Sequence, residues 1–361
     1  MYRGLISDLV QSVPTSILDV TISRVRGRAP SQAFSEFLTN REQGDWAEKV
    51  IFEALNSLDE YVALKYGRSD DIVAGETGFP AFYGDYQDEL DAVGKRPDIL
   101  LFRRNDWNPD WGTNISNKTR GELNDIVPHA LAGLEVRSSS FLIGKYDIQL
   151  QKRQQAFRTR AFEIRDDVLK NHKALLDSKN NLATILADLD DSTIGDFGFR
   201  VPSWRSSESL ISLSALLREL KVCLNEYQKR DFLSFTPKVE DLKVVLKWID
   251  AYGVPHFYFQ VFFDRVYGIS FEKILRIVSD SSREDKDFFI DGGDAKNQNK
   301  TTIKLNVKSG TEIAHRVEMP EHQSRMRELE RGRLLFYVTF QGGVAHLNVD
   351  NLIDLVDPNH S

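Results

Sequence analysis

The stretch GLEVRSSSF, residues 133–141, places Glu135 and Arg137 two positions apart in a run of apolar and small residues. Because alternate residues of a strand share a face, a strand over this stretch points both charged side chains to one side and Val136 to the other. Such a pair is either a structural ion pair, which contributes little stability, or part of a reactive site. The neighbouring segments distinguish between these two interpretations.

The composition indicates a globular protein. Of the 361 residues, 41% are hydrophobic and 28% are charged, which is ordinary for a soluble domain. No stretch approaches the roughly 20 apolar residues of a membrane span, and residues 1–16 lack a signal-peptide run, so we expect a cytoplasmic protein. The single cysteine, Cys223, excludes an internal disulfide and a cysteine-rich zinc module.

Hydrophobic periodicity predicts alternating helices and strands. Segment 45–58 has helical spacing, and so does segment 236–253, which starts with Thr-Pro and ends at a glycine. Residues 99–102 and 256–263 are short apolar or aromatic runs, typical of buried strands. A mixed sheet with helices packed on its faces satisfies this order.

Two carboxylates lie on or directly before predicted strands. Asp98 directly precedes the strand at 99–102, and Glu135 lies on the next predicted strand. If the two strands are neighbours, both acids meet at one end of the sheet, with the Val136 carbonyl close by. Two carboxylates and a backbone oxygen suit Mg²⁺, a hard cation that keeps several waters and favours a substrate phosphate as a further ligand.

The pattern RPD at 96–98 followed by EVR at 135–137 resembles the PD-(D/E)xK signature of restriction-endonuclease-like nucleases, with Arg137 in place of the lysine. The preceding helix with Glu48 and the later helix and aromatic strand also match that superfamily. Over roughly residues 30–270 the chain resembles type II restriction endonucleases, and within these the AccI-like group.

This resemblance implies an α/β fold, with a restriction-endonuclease-like mixed sheet flanked by helices, a helical insertion and a β-rich C-terminal part. Residues 1–141 and 236–268 would form the nuclease core. Residues 142–235 would be a DNA-contacting insertion, and residues 269–361 a region for recognition or dimerisation.

The resemblance also implies a sequence-specific deoxyribonuclease that hydrolyses double-stranded DNA with Mg²⁺ and leaves 5′-phosphate ends. Asp98 and Glu135 would be catalytic and would hold the metal together with the Val136 carbonyl. Glu48 would assist from the preceding helix, although a glutamate at such a position is often simply solvated.

The replacement of the signature lysine leaves the identity of the catalytic cation open. Arginine is always charged, so Arg137 cannot take a proton from water, but it can stabilise a phosphorane-like charge. Lys238, at the start of the predicted helix 236–253, is the second candidate, and Lys145 is the third.

DNA binding requires local positive charge, because the net charge of the chain is −7. Cations concentrate in residues 141–160, and lysines alternate with Asn and Gln in residues 296–308. The residues predicted to contact DNA are Ser138, Ser139, Lys145, Lys152, Arg153, Arg158, Lys300 and Lys304. A palindromic site would suit a two-fold homodimer, and the resemblance implies a cognate DNA methyltransferase as functional partner.

Two alternatives remain open at this stage. One is a repair or recombination nuclease of the same superfamily that recognises DNA structure. The other is a catalytically impaired DNA-binding protein on a nuclease scaffold, since Arg137 departs from the signature. Other chemistry finds little support, because the chain has no HxxxH, GxSxG, phosphate-loop or dinucleotide-binding motif.

Overall fold

The chain folds into two compact units in the computed structural model. The residues that the structure describes are 1–68, 72–177, 181–229, 231–292 and 301–358. Unit 1 comprises Met1–Leu142 and Phe232–Ser361, and unit 2 comprises Ile143–Asp231. Unit 2 lies within the predicted insertion of residues 142–235, whereas residues 269–361, predicted as a separate region, belong to unit 1.

The fold class is α/β, as predicted. The strands are β1 (Tyr61–Lys65), β2 (Ile99–Arg103), β3 (Ala132–Ser138), β4 (Ser234–Phe235), β5 (His256–Val261), β6 (Val266–Ser270), β7 (Phe288–Asp291), β8 (Thr302–Asn306), β9 (Thr311–Val317), β10 (Glu321–Glu328), β11 (Leu334–Gln341) and β12 (Ala345–Leu347). The α-helices are α1 (Tyr2–Ser12), α2 (Ser35–Asn56), α3 (Phe79–Ala92), α4 (Arg120–Ile126), α5 (Ile143–Asn171), α6 (Lys173–Asp177), α7 (Leu182–Ala187), α8 (Glu208–Gln228), α9 (Val239–Tyr252), α10 (Phe271–Val278) and α11 (Val349–Val356).

The main sheet of unit 1 has seven strands in the order β1-β2-β3-β5-β6-β9-β12. Strands β3 and β5 are parallel, and the other neighbours are antiparallel. A parallel pair requires a crossover connection, and the chain between β3 and β5 includes all of unit 2 as well as α9. The strand after Asp98 and the strand of Glu135 are direct neighbours, which is the condition under which the two acids meet at one end of the sheet.

The two faces of the central strands are covered by different helices. Val50 of α2 belongs to a core cluster with Leu134 and Val136 of β3. On the other face, a Cβ atom added to Gly133 would lie 2.9 Å from the ring of Trp248 in α9. Since side chains alternate along a strand, Glu135 lies on the same face as Gly133, which is the α9 face.

Helix α9 begins later than its sequence predicts. Its N-cap is Lys238 rather than Thr236, and it ends at Gly253, whose φ of 77° is left-handed. The late start has a tertiary cause, because Lys238 pairs with Thr302 and the Val239 amide donates to the Thr301 carbonyl at 3.0 Å. The segment before α9 is therefore extended along β8 instead of forming the first helical turn.

Unit 2 is built on helices α5 and α8, which pack along each other, with α7 against α5. The buried residues of α5 are Ile143, at its start, and Ala161, Ile164 and Val168, in its second half. The intervening part of α5 carries many polar residues. Its exposed cations include Lys145 and Lys152.

Candidate active site

Asp98 is fixed directly on the backbone of β3. Its amide donates to the Leu134 carbonyl at 3.0 Å, and its Oδ2 accepts a hydrogen bond from the Val136 amide at 2.7 Å. The Asp98 carbonyl in turn accepts from the amides of Tyr66 and Gly67. These bonds place the Asp98 carboxylate beside Glu135, the residue between Leu134 and Val136.

Glu135 is buried, and its two carboxylate oxygens differ in their partners. Only 1% of its side chain is exposed. Its Oε1 accepts a hydrogen bond from the Lys95 ammonium at 2.6 Å and forms a close ion pair with the Arg137 guanidinium. Its Oε2 is buried and has no hydrogen-bond partner among the described residues. One oxygen is therefore neutralised by cations, while the other is available for a ligand.

A fourth charged group joins this cluster from α9. Asp241 Oδ2 lies 3.1 Å from Lys95 Nζ and 3.9 Å from the Arg137 guanidinium. The two cations therefore each lie between the same two carboxylates, Glu135 and Asp241. This alternation lowers the cost of burying the charges of Glu135 and Lys95, while the Arg137 side chain is 43% exposed.

The pKa values of the two acids nearest the cations are low for a physical reason. Burial alone would raise the pKa of Glu135, but the positive charges of Arg137 and Lys95 outweigh it and hold the pKa below its usual range. Burial also opposes ionisation of Asp241, and the charges of Lys95 and Arg137 lower its pKa to about 2. Both carboxylates are thus anions at neutral pH.

The pKa values of Asp98 and Glu48 are instead higher than usual. Burial and the nearby charge of Glu135 raise the pKa of Asp98 to about 7. Burial and the charge of Asp98 raise the pKa of Glu48, on α2, to about 9. The ionised Glu135 raises the pKa of both neighbouring acids, so the three carboxylates together attract positive charge.

A comparison with known protein families identifies the family of the chain. Residues 1–361 match the family model described as AccI restriction endonuclease. The chain belongs to the AccI restriction endonuclease family. No curated protein and no solved structure matches the chain. The family match confirms the predicted resemblance and makes DNA the substrate.

The carboxylates of this AccI-family chain fit a Mg²⁺ site with few protein ligands. The unpartnered Oε2 of Glu135 and the mutual repulsion of Asp98 and Glu48 both favour a cation there. Among the described residues, no group of three or more His, Cys, Asp or Glu side chains could hold a metal ion. Mg²⁺ usually takes one or two carboxylates and completes its shell with water and substrate phosphate.

A cleft in unit 1 opens beside two of these acids. Asp98, Glu48 and Asp45 line it together with four cationic side chains. The cations are Arg41, Lys49, Lys65 and Arg68. The lining holds more cations than acids, which suits a substrate that carries phosphates.

His256 and Tyr258, both on β5, complete the buried polar surroundings of Glu135. Tyr258 is directly opposite Glu135 in the parallel ladder, and its hydroxyl has no hydrogen-bond partner among the described residues. Burial lowers the pKa of His256 to about 4. Its ring packs against Trp248, Tyr258 and Phe271. The neutral ring of His256 is therefore a packing residue.

The predicted cationic candidates lie in different places. Arg137 contacts Glu135, whereas Lys238 is the N-cap of α9 and lowers the pKa of Asp241 through its charge. Lys145 is exposed on α5 in unit 2. Lys95, which the sequence analysis did not single out, is the lysine that donates to Glu135.

The predicted DNA-contacting residues fall into three groups. Ser138 and Ser139 are half-buried at the end of β3. Lys145 and Lys152 are exposed, whereas Arg153 pairs with Asp231 at 2.7 Å and Arg158 donates to Asp191 at 2.7 Å. Lys304 is half-buried on β8, and Lys300 lies outside the described residues.

One further structural finding bears on localisation. Over the described ranges, no helix combines the length and the apolar character needed to cross a membrane.

Proposed function

We propose that this AccI-family enzyme uses Mg²⁺ to hydrolyse phosphodiester bonds of double-stranded DNA at a specific sequence and leaves 5′-phosphate ends. The observation that carries this proposal is the meeting of Asp98 with Glu135 on neighbouring strands. There, Glu135 Oε2 is buried without a hydrogen-bond partner among the described residues. A buried carboxylate oxygen of this kind is costly unless a ligand satisfies it.

Asp98 and Glu135 would hold the metal, with the Val136 carbonyl as a backbone ligand and Glu48 assisting from α2. When bound, Mg²⁺ lowers the pKa of water and neutralises charge that develops on the phosphate. The Val136 side chain is buried in the core against α2, so only its backbone could serve.

In the reaction, the oxygen of a water molecule bonds to phosphorus while the bond from phosphorus to the 3′ oxygen breaks. The attacking water loses a proton to solvent, and the departing 3′ oxygen gains one. Arg137, held by Glu135, contributes a permanent positive charge beside the phosphate. Lys238 would add a second charge at the start of α9.

Affinity for DNA would come from several surfaces of the chain. In the cleft beside Asp98, Lys65 is exposed and is the better candidate for a phosphate contact, because Arg41, Lys49 and Arg68 already pair with acids. On α5, the exposed Lys145 and Lys152 are the better candidates for phosphate contacts, because Arg153 and Arg158 already pair with acids. Ser138, Ser139, Lys300 and Lys304 remain predicted contacts.

The biological setting follows from the family. We expect a two-fold homodimer acting on a palindromic site. We also expect a cytoplasmic enzyme paired with a DNA methyltransferase that protects the host sequence.

The test is cleavage of plasmid DNA with Mg²⁺ or with EDTA, for the wild type and for Asp98→Ala and Glu135→Ala. We expect discrete fragments that need Mg²⁺, and a loss of at least about 1000-fold in rate for both variants. Glu53→Ala is the matched control, since Glu53 is an exposed acid of α2 that pairs only loosely with Lys49, at 3.7 Å. End-sequencing of the fragments gives the recognition site and the end chemistry.

Three results would contradict the proposal. Binding of DNA without cleavage in Mg²⁺ or Mn²⁺ would favour a catalytically impaired DNA-binding protein. Nicking that follows DNA structure instead of sequence would favour a repair or recombination nuclease. Full activity of both alanine variants would move the active site elsewhere.

A further inference from the structure

We propose that Lys95 supplies the ammonium group that EVR lacks, since EVR has Arg137 at the position of the signature lysine. Asp241 is the residue that positions Lys95. This inference rests on the proposed function, because it assigns Lys95 a role in presenting Glu135 to Mg²⁺. Lys95 comes from the GKRPD segment, three residues before Asp98, and not from β3.

The contacts of Lys95 carry the inference. Its ammonium lies 2.6 Å from Glu135 Oε1 and 3.1 Å from Asp241 Oδ2, and only 14% of its side chain is exposed. Because Oε1 is occupied in this way, Oε2 is the oxygen that remains for a metal. Lys95 therefore acts together with Arg137, which pairs with the same Oε1, to leave Oε2 as the oxygen that faces a metal.

Backbone contacts with α9 fix the position of Lys95. Gly94 has a φ of +90°, and an added Cβ would lie 2.1 Å from the Val244 carbonyl oxygen of α9. This close approach lets the Lys95 amide donate to the same carbonyl at 2.9 Å. Asp241 lies one helical turn before Val244, so one face of α9 holds both the backbone and the ammonium of Lys95.

Two roles are possible for Lys95, positioning a metal ligand or only stabilising the fold. They predict different effects when Lys95 is substituted. The positive charge of Lys95 close to Glu135 repels a divalent cation, even as it orients the carboxylate. Loss of this charge should strengthen Mg²⁺ binding and weaken cleavage. Loss of a merely structural lysine would weaken both.

The experiment compares Lys95→Met with Lys247→Met, a matched control on an exposed lysine of α9 whose ammonium binds the Asp91 carbonyl. Mg²⁺ affinity is measured by calorimetry without DNA, cleavage by single turnover on plasmid, and folding by circular dichroism. For Lys95→Met we expect Mg²⁺ to bind about tenfold more tightly or better. The cleavage rate should fall at least about 100-fold. Lys247→Met should match the wild type in both.

Two further variants keep the inference testable if Lys95→Met does not fold. Asp241→Asn leaves the ammonium in place but removes one of its anchors, and we expect cleavage to fall about tenfold with the fold intact. Lys95→Arg keeps the charge, so we expect wild-type Mg²⁺ affinity and a cleavage rate above that of Lys95→Met.

The possible failures are distinguishable. A wild type that cuts together with a Lys95→Met variant that cuts within about threefold of it overturns this inference alone. So does a folded Lys95→Met variant that loses Mg²⁺ affinity and cleavage together. A wild type that never cuts with Mg²⁺ overturns the proposed function, and this inference with it.

Discussion

The candidate active site of unit 1 and helix α5 of unit 2 both bring cations and acids together, but they do so in different environments. In unit 1, Lys95 is 14% exposed and binds Glu135, which is 1% exposed. In unit 2, the side chains of Arg158 and its partner Asp191 are 31% and 69% exposed. The carboxylate is therefore buried in the pair of unit 1 and hydrated in the pair of unit 2.

This difference in burial changes what each ion pair can do. A buried carboxylate that loses its cation keeps the full cost of lost hydration, so each member of the unit 1 cluster depends on the others. An exposed pair is screened by water and salt and typically contributes about 0–1 kcal/mol. We therefore expect substitutions in the buried cluster to change function strongly, and those on α5 to act weakly and in a salt-dependent way.

The largest expected effect is that of Asp98→Asn. We expect cleavage to fall at least about 1000-fold, because the metal would lose a charged ligand. Without divalent cations the unfolding free energy should stay level or rise by about 1 kcal/mol, since the asparagine removes repulsion from Glu135. Single-turnover cleavage and guanidinium unfolding measure the two quantities.

The control for Asp98→Asn is Asp191→Asn, which removes an acid from an exposed pair of unit 2. Its cleavage rate should stay within about threefold of the wild type. An Asp98→Asn variant that loses stability and activity together would contradict our view of Asp98 as a functional, mutually repelled carboxylate.

The next effect is a pH dependence from the buried His256. Its pKa in the folded state is about 4, below the ordinary 6.5, because burial disfavours the charged ring. Between these two pH values the unfolded chain binds a proton at His256 and the folded chain does not. The unfolding free energy therefore falls as the pH falls through this range. At pH 5 this loss amounts to about 1–2 kcal/mol.

His256→Phe keeps an aromatic ring and removes the titration. Denaturant unfolding at pH 7 and pH 5 should show a smaller loss of stability for the variant than for the wild type. Equal losses would mean that His256 is hydrated in solution. His346, a half-buried residue that pairs with Glu318, is the control histidine for substitution.

The core of the fold could be predicted from local sequence. RPD directly precedes an apolar run and EVR follows one, and turn-forming residues separate the two segments, so their strands followed from pattern and resemblance. The parallel partner strand was visible as the aromatic run at 256–263. The late start of α9 could not be predicted, because Lys238 pairs with Thr302, which is far away in sequence.

The sequence indicated Asp98, Glu135 and Arg137 of the candidate site, but it did not indicate Lys95. Asp98 and Glu135 belong to one signature, whereas Lys95 reaches Glu135 because Gly94 packs against the α9 backbone. The role of Asp241 could not be predicted either, because an acid in the first turn of a helix usually stabilises that helix through its dipole. The Gly-Lys pair before RPD was the only local sign of this arrangement.

A smaller effect is expected for the double variant Lys145→Ala and Lys152→Ala. If these exposed lysines bind phosphates, DNA affinity at low salt should fall about tenfold, and the slope of log affinity against log salt should decrease by about 2. Fluorescence anisotropy with a duplex that carries the mapped site measures both. Lys170→Ala, on the same helix, is the control, and an equal loss there would mean that only net charge matters.

The smallest effect concerns the exposed pair of Arg158 and Asp191. A double-mutant cycle to alanine should give a coupling free energy of about 0.5 kcal/mol or less, which should disappear near 1 M salt. The matched cycle is Arg103 with Asp357 in unit 1, where Asp357 is 2% exposed and accepts from Arg103 Nε at 2.8 Å. There the coupling should be larger and should persist in salt, because the buried acid is poorly screened. Equal couplings in the two cycles would show that burial does not set the strength of these ion pairs.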